Sequence, residues 1–204
     1  LINSLSRAGI PILILIYITI AFAFRSYSQP ILLFVLIPVS LIGVAWGHWV
    51  HNFSVSIISL LGVIALIGIM VNDGLVFIGK FNSNIKEGYR FKESLILAGR
   101  SRFRAIFLTS ATTVAGLTPL LLEKSRQAQW LKPMAITVSY GIAFATILTL
   151  ILLPIFISLI NEAKVYFNWL ASGEFPSQES VERALIEKKE EDKMAETESE
   201  NVQI

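Results

Sequence analysis

The 204-residue sequence contains no cysteine, which excludes disulfides and thiolate metal sites. Histidine is almost as scarce. His48 and His51 stand alone in an expected loop with no third ligand nearby, so no metal site is expected. No nucleophile–base pair and no phosphate-cradling glycine loop is found, and enzymatic chemistry is not expected. Charge is the most telling deficit: only 16% of residues are Asp, Glu, Lys or Arg, against 54% hydrophobic. With a mean hydropathy of +0.65, the chain is too apolar for an ordinary soluble domain and reads as an integral membrane protein. No signal peptide is visible. The chain opens at Leu1 without an initiator methionine and enters an apolar stretch almost at once, so we read it as part of something longer.

Five stretches are long and apolar enough to cross a bilayer, at about 8–24, 30–50, 56–79, 105–122 and 134–160. The fold class expected is an all-α membrane protein, a five-transmembrane-helix bundle over residues 1–162. Pro11 falls in the opening turn of the first helix, and Pro38 should kink the second. The connection from Lys80 to Arg104 holds seven Lys or Arg against Glu87 and Glu93, which makes it cytoplasmic by the positive-inside rule. Thirteen basic residues then fall inside and four outside (Arg7, Lys124, Arg126 and Lys132). The N-terminus is thus placed outside and the C-terminus in the cytoplasm. Trp46, Trp49, Trp130 and Trp169 are expected at the interfaces.

Within the basic connection, Phe91, Leu95 and Ala98 stand at helical spacing with Gly99 as a C-cap. This predicts a short interfacial amphipathic helix with its cations among anionic headgroups. Membrane lipids are thus expected partners, and nucleic acid is not. Residues 163–204 read as a charged cytoplasmic tail. From Glu162 onward there are eleven acidic and five basic residues, with too little apolar surface to offset the entropy of ordering. The tail is expected to be largely disordered.

The third stretch carries the polar pair Asn72-Asp73, followed by Gly74. A carboxylate at that depth costs roughly 2.5–3.5 kcal/mol to insert and usually faces the bundle interior, where it serves ion or proton movement. The plainer reading is that Asp73 is simply hydrogen-bonded or protonated where helices meet. Small residues recur at steps of three and four, including Gly43, Gly47, Gly62, Gly68, Gly116 and Gly141. In lipid, close backbone approach holds helices together, and these positions are expected to be packing surfaces. Thr109, Ser110, Thr112 and Thr113 exceed what close packing needs, and either bond their own helix or support a proton path beside Asp73. Arg102 is either a charge partner near the inner mouth of such a path or an anchor at the headgroups.

Here the residues resemble a family. The run from Gly68 to Val76 is similar to the proton-relay helix in the second half of RND-superfamily efflux permeases, in the drug- and hydrophobe-efflux branch. Ala98-Gly99-Arg100-Ser101-Arg102-Phe103-Arg104, Leu108-Thr109-Ser110 and Gly116-Leu117-Thr118-Pro119-Leu120 resemble the helix that follows it. Phe24-Arg25-Ser26-Tyr27-Ser28-Gln29-Pro30 also matches. The resemblance covers about 8–160 and implies the last five helices of a proton-driven permease of the bacterial inner membrane. It implies a homotrimer, a periplasmic adaptor, an outer-membrane channel and the missing N-terminal part as partners. No cofactor other than the proton gradient is implied. By position the relay's threonine falls on Thr109 and its arginine on Arg102, while Asn72 occupies the place of its lysine, with Asp73 next to it. An asparagine cannot swing as a cation, so the relay's charge logic does not carry over unchanged: either Asp73 itself titrates, or Asn72 only orients water. A non-transporting scaffold or lipid-handling subunit is the competing reading.

Overall fold

A capping box at Ser56 shows how locally the helix boundaries are written. Its hydroxyl accepts the Ser59 N–H, and the Ser59 hydroxyl accepts the Ser56 N–H at 3.1 Å, satisfying donors that the first turn leaves unpaired. In the computed structural model, which describes the backbone of residues 2–173 and 175–202 and the side chains of 10–170 and 175–195, six helices follow in order. They are α1 (Ile2–Phe24), α2 (Ser28–His51), α3 (Ile57–Lys86), α4 (Phe91–Leu122), α5 (Arg126–Ser172) and α6 (Arg183–Val202). Helix α2 closes on Asn52 in the left-handed conformation at φ 53°. The α3–α4 turn uses Gly88 at φ +93°, where a Cβ would be strained. At the far end of α4, Glu123 accepts the Lys124 and Ser125 N–H groups, which hold its carboxyl below the usual range.

Helix α5 is the spine. It makes its most extensive contact with α2, then with α3 and α4. At about 1.5 Å per residue its 47 residues reach roughly 70 Å, more than twice a hydrocarbon core. Among the described residues, α2, α3, α4 and Arg126–Leu170 of α5 are long and apolar enough to cross a membrane, and Ile10–Phe24 of α1 is a shorter apolar helix. Phe77, Phe81, Phe91, Leu33, Leu36 and Leu66 are fully buried, while Ile14, Leu15, Phe22 and Phe107 lie on the outside. Apolar side chains on both surfaces are what lipid as solvent requires. Trp46, Trp49, Trp130 and Trp169 all stand near helix ends. Arg7 and the acidic residues from Glu196 onward have side chains outside the described residues.

Two expectations are corrected here. The separate interfacial helix does not exist: Phe91 to Leu122 is one helix, and Gly99 lies inside it. The reason is phase. Phe91, Ser94, Ala98, Ile106 and Ser110 form one buried stripe in steps compatible with a helical period, so packing carries the helix through a glycine that costs only about 1 kcal/mol. The tail is not disordered over its described part either, because α5 runs on to Ser172 and α6 docks on the bundle. Glu179 accepts the Phe91 N–H at 2.8 Å, and Lys188 donates to the Lys86 carbonyl at 2.7 Å. Glu182 is buried, accepting from Asn161 at 2.7 Å and facing Lys164 at 3.3 Å. Composition hid this order because so few apolar residues of the tail reach the core, Ala184 and Leu185 among them, and specific polar partners supplement them.

Glu187 bridges Lys86 at 2.9 Å and Arg25 at 3.1 Å. The Lys86 hydrogen bond, partly opposed by desolvation, holds its carboxyl below the ordinary 4.5. A lowered folded pKa means that this contribution is complete above the unfolded value and is lost as pH falls through the folded one. A spin label on Lys189→Cys, which needs no background cysteines removed in this chain, is therefore expected to gain mobility only below about pH 4.5. Unchanged mobility at acid pH would show that Glu187 does not hold the tail.

Candidate functional site in the α3–α5 seam

Asp73 lies at mid-helix in α3, buried, with its side chain turned toward α5. Around it are Ile69 and Met70 from α3 and Ile142, Ala145, Thr146 and Thr149 from α5, in a gap with no room for a water molecule. The carboxyl has no hydrogen-bond or ion-pair partner among the described residues. Thr146 donates to the Ile142 carbonyl at 2.8 Å, so its oxygen is left to accept the proton of the Ser110 hydroxyl. This pair ties α4 to the wall of the Asp73 seam. Leu33 of α2 rests against Gly74, where any side chain would collide with it. The site is thus built by four helices, with Asp73 the lone charge-capable group in it.

Of the other relay candidates, none lines this seam. Asn72 is exposed, as it must be once Asp73 faces inward, because consecutive helical residues point about 100° apart. Thr109 and Thr112 are exposed, and their hydroxyls bond the Ala105 and Leu108 carbonyls of their own helix. Thr113 is half-buried and bonds the Thr109 carbonyl. The expectation that Asp73 sits beside the α4 threonines is therefore corrected. Its hydroxyl neighbours are Thr146 and Thr149 of α5, which the sequence offered only as small-residue positions. Arg102 is half-buried, and its Nε is enclosed without a hydrogen-bond partner among the described residues.

The glycines divide in the same way. A Cβ on Gly43 would strike Phe144, on Gly47 it would come within 2.7 Å of Tyr140, on Gly62 within 2.9 Å of Thr137, and on Gly141 it would strike Leu66. A Cβ on Gly68 or Gly116 would meet nothing within 4 Å among the described residues. His48 was missed as a structural residue. It is buried at the end of α2, with Nε2 2.9 Å from the Thr137 hydroxyl and Nδ1 3.1 Å from the Phe53 carbonyl, joining α2 to α5. Its four-residue steps from Val44 and Ser40 along the buried α2 face were the available signal.

Several membrane-length helices, assembled around a buried carboxylate with apolar side chains outward, define a multi-pass membrane protein. Residues 3–161 match the model of the AcrB/AcrD/AcrF family. The chain belongs to that family, the RND efflux permeases. It is similar to the swarming motility protein SwrC of Bacillus subtilis, 29% identical over 75% of this chain. It is also similar to the cobalt-zinc-cadmium resistance protein CzcA of Cupriavidus metallidurans, 29% identical over 72%. The multidrug resistance protein MdtC of Erwinia tasmaniensis is 26% identical over 76%. The crystal structure of a heavy metal efflux pump superposes with a TM-score of 0.70 at 25% identity, covering 78% of this chain and 15% of that one. The chain spans only 14–15% of the length of these curated relatives.

Proposed function

We propose that this chain supplies half of the transmembrane proton-relay bundle of a proton-driven RND permease that exports small molecules across the bacterial inner membrane. The observation that carries this reading is the bare face of small and polar residues: Gly68 and Asn72 on α3, Thr109 and Gly116 on α4. Lipid tails give such a face neither close packing nor hydrogen bonds, whereas a second set of helices gives both. In this reading the missing N-terminal helices bring their own carboxylates to Asn72, Thr109 and Arg102. Arg102 is only half-buried, so part of its side chain stays open to such a docking. Asp73, one residue away but facing α5, senses the same rearrangement from the inside. Protonating a carboxylate removes the penalty of holding its charge out of water, so the helix arrangement it favours changes with its charge. Homotrimeric assembly, a periplasmic adaptor, an outer-membrane channel, a periplasmic N-terminus and a cytoplasmic C-terminus belong to the same proposal.

The test is export of a dye driven by an imposed proton gradient, in the full-length permease containing this chain. Asp73→Asn and Thr109→Ala are each expected to lower export by about 10²-fold, the lower end of what a positioned proton-transfer group contributes, with unchanged amounts of protein in the membrane. Wild-type export in both variants overturns the reading. Gly68→Leu and Gly116→Leu should also impair assembly of the full-length protein, although among the described residues nothing lies within 4 Å of a Cβ at either position.

A further inference from the structure

A groove of about 970 Å³ opens where the end of α1, the α1–α2 turn, α5 and the start of the tail meet. Three cations line it, Arg25, Lys164 and Arg183, and no carboxylate does. Their acidic partners Glu187, Glu182 and Glu190 are not part of that lining. Ser26, Ser28 and Tyr17 add hydroxyls to the same wall. On the other side the groove continues onto Ile18 and Phe22, which with Ile14 form an exposed apolar stripe at four-residue steps along α1.

Arg25 adds an independent sign. It occupies the left-handed position that closes α1, at φ 46°, with the Arg25 N–H on the Phe22 carbonyl at 3.3 Å and the Ser26 N–H on the Ala21 carbonyl at 3.2 Å. Glycine relaxes such a cap, and an arginine there holds its backbone in a conformation that L side chains disfavour. Its side chain is 66% exposed and meets Glu187 through Nη1, leaving guanidinium donors for an anion.

We propose that this groove binds one anionic phospholipid, its phosphate between Arg25, Lys164 and Arg183 and an acyl chain along Ile14, Ile18 and Phe22. The occupant is a lipid rather than a free phosphate because the cations open directly onto an apolar stripe. A free phosphate would meet the cations alone, while a phospholipid sets its headgroup on them with its chain already in the hydrocarbon that faces the stripe. The tail forms part of the wall through Val181, Arg183 and Ile186, so docking of the tail and occupancy by lipid support each other.

The experiment is native mass spectrometry of the full-length protein released from phosphatidylcholine nanodiscs containing a minority of phosphatidylglycerol. One phosphatidylglycerol retained per chain is expected. The triple variant Arg25→Gln, Lys164→Gln, Arg183→Gln should lose it, by about fivefold in affinity for each cation removed. Equal removal of charge elsewhere, in Lys124→Gln, Arg126→Gln, Lys132→Gln, should leave it bound. Two further variants guard against misfolding. Arg25→Gln alone leaves Lys86 on Glu187, and Ala21→Trp fills the groove without touching charge. Each should weaken retention. Equal retention in the groove variants and the control overturns the proposal. So does displacement of the lipid by inorganic phosphate, which would show that the anion alone is recognised.

Discussion

Gly43→Val is expected to unfold the α2–α5 pair, with the largest loss of stability of any single glycine replacement in the chain. A Cβ at Gly43 would overlap that of Phe144 and stand 2.8 Å from the Tyr140 carbonyl oxygen. A flexible side chain could swing aside, but here the obstacles are a Cβ atom and a backbone oxygen of α5. Relief therefore needs the two helices to separate along the most extensive interface of the bundle. Overpacking costs typically 1–3 kcal/mol where side chains can yield, and we expect at least about 3 kcal/mol here. Denaturant titration of the full-length protein in detergent checks this against Gly79→Ala, whose new Cβ would find only Phe24 at 3.8 Å and should change little. Wild-type stability for Gly43→Val would mean that α2 and α5 do not approach as closely as described.

The second large effect is expected at Glu182. Its side chain is buried, and its two oxygens hold the buried Asn161 amide at 2.7 Å and the Lys164 ammonium at 3.3 Å. Glu182→Ala leaves the Lys164 ammonium and one Asn161 N–H facing a methyl group, while the Asn161 amide keeps the Gln178 carbonyl at 2.8 Å. Removing one member of a fully buried pair costs about 3–5 kcal/mol. Lys164 keeps 27% of its side chain exposed and can turn to water, so about 2 kcal/mol is expected, the discount following from solvent screening. The loss should appear as release of the tail: proteolysis after Gly173 becomes fast, while the membrane helices stay protected. Glu190→Ala breaks only the Arg183 contact at 3.8 Å between exposed side chains, and should leave the tail docked. If Glu182→Ala and Glu190→Ala behave alike, the tail is not held by the buried pair.

These two sites mark what a linear reading reaches and where it stops. Gly43 stood out from spacing alone, since lipid removes the hydrophobic drive between helices and leaves small residues to bring them together. Gly68 and Gly116 carry the same local pattern and face open space, because periodicity names a face without naming what covers it. Glu182 gave no signal at all. A carboxylate in an acidic run looks solvated until a partner more than a dozen residues away, Asn161, is folded against it. Asp73 shows both sides: its burial followed from its depth in an apolar helix. Its neighbours did not, since a rotation of about 100° decides whether residue 72 or 73 faces inward.

By itself the sequence determined the all-helical membrane class, the place of the polar pair Asn72-Asp73 inside an apolar helix, and membership of the RND permeases. All of these depend on composition and on order along one helix. Only the tertiary structure decided that α4 runs unbroken through Gly99, that Asp73 meets the hydroxyls of α5 rather than those of α4, and that the acidic tail is docked. Each of these depends on which side chains of distant segments meet, and burial against a partner outweighs the local preferences by which a chain is read.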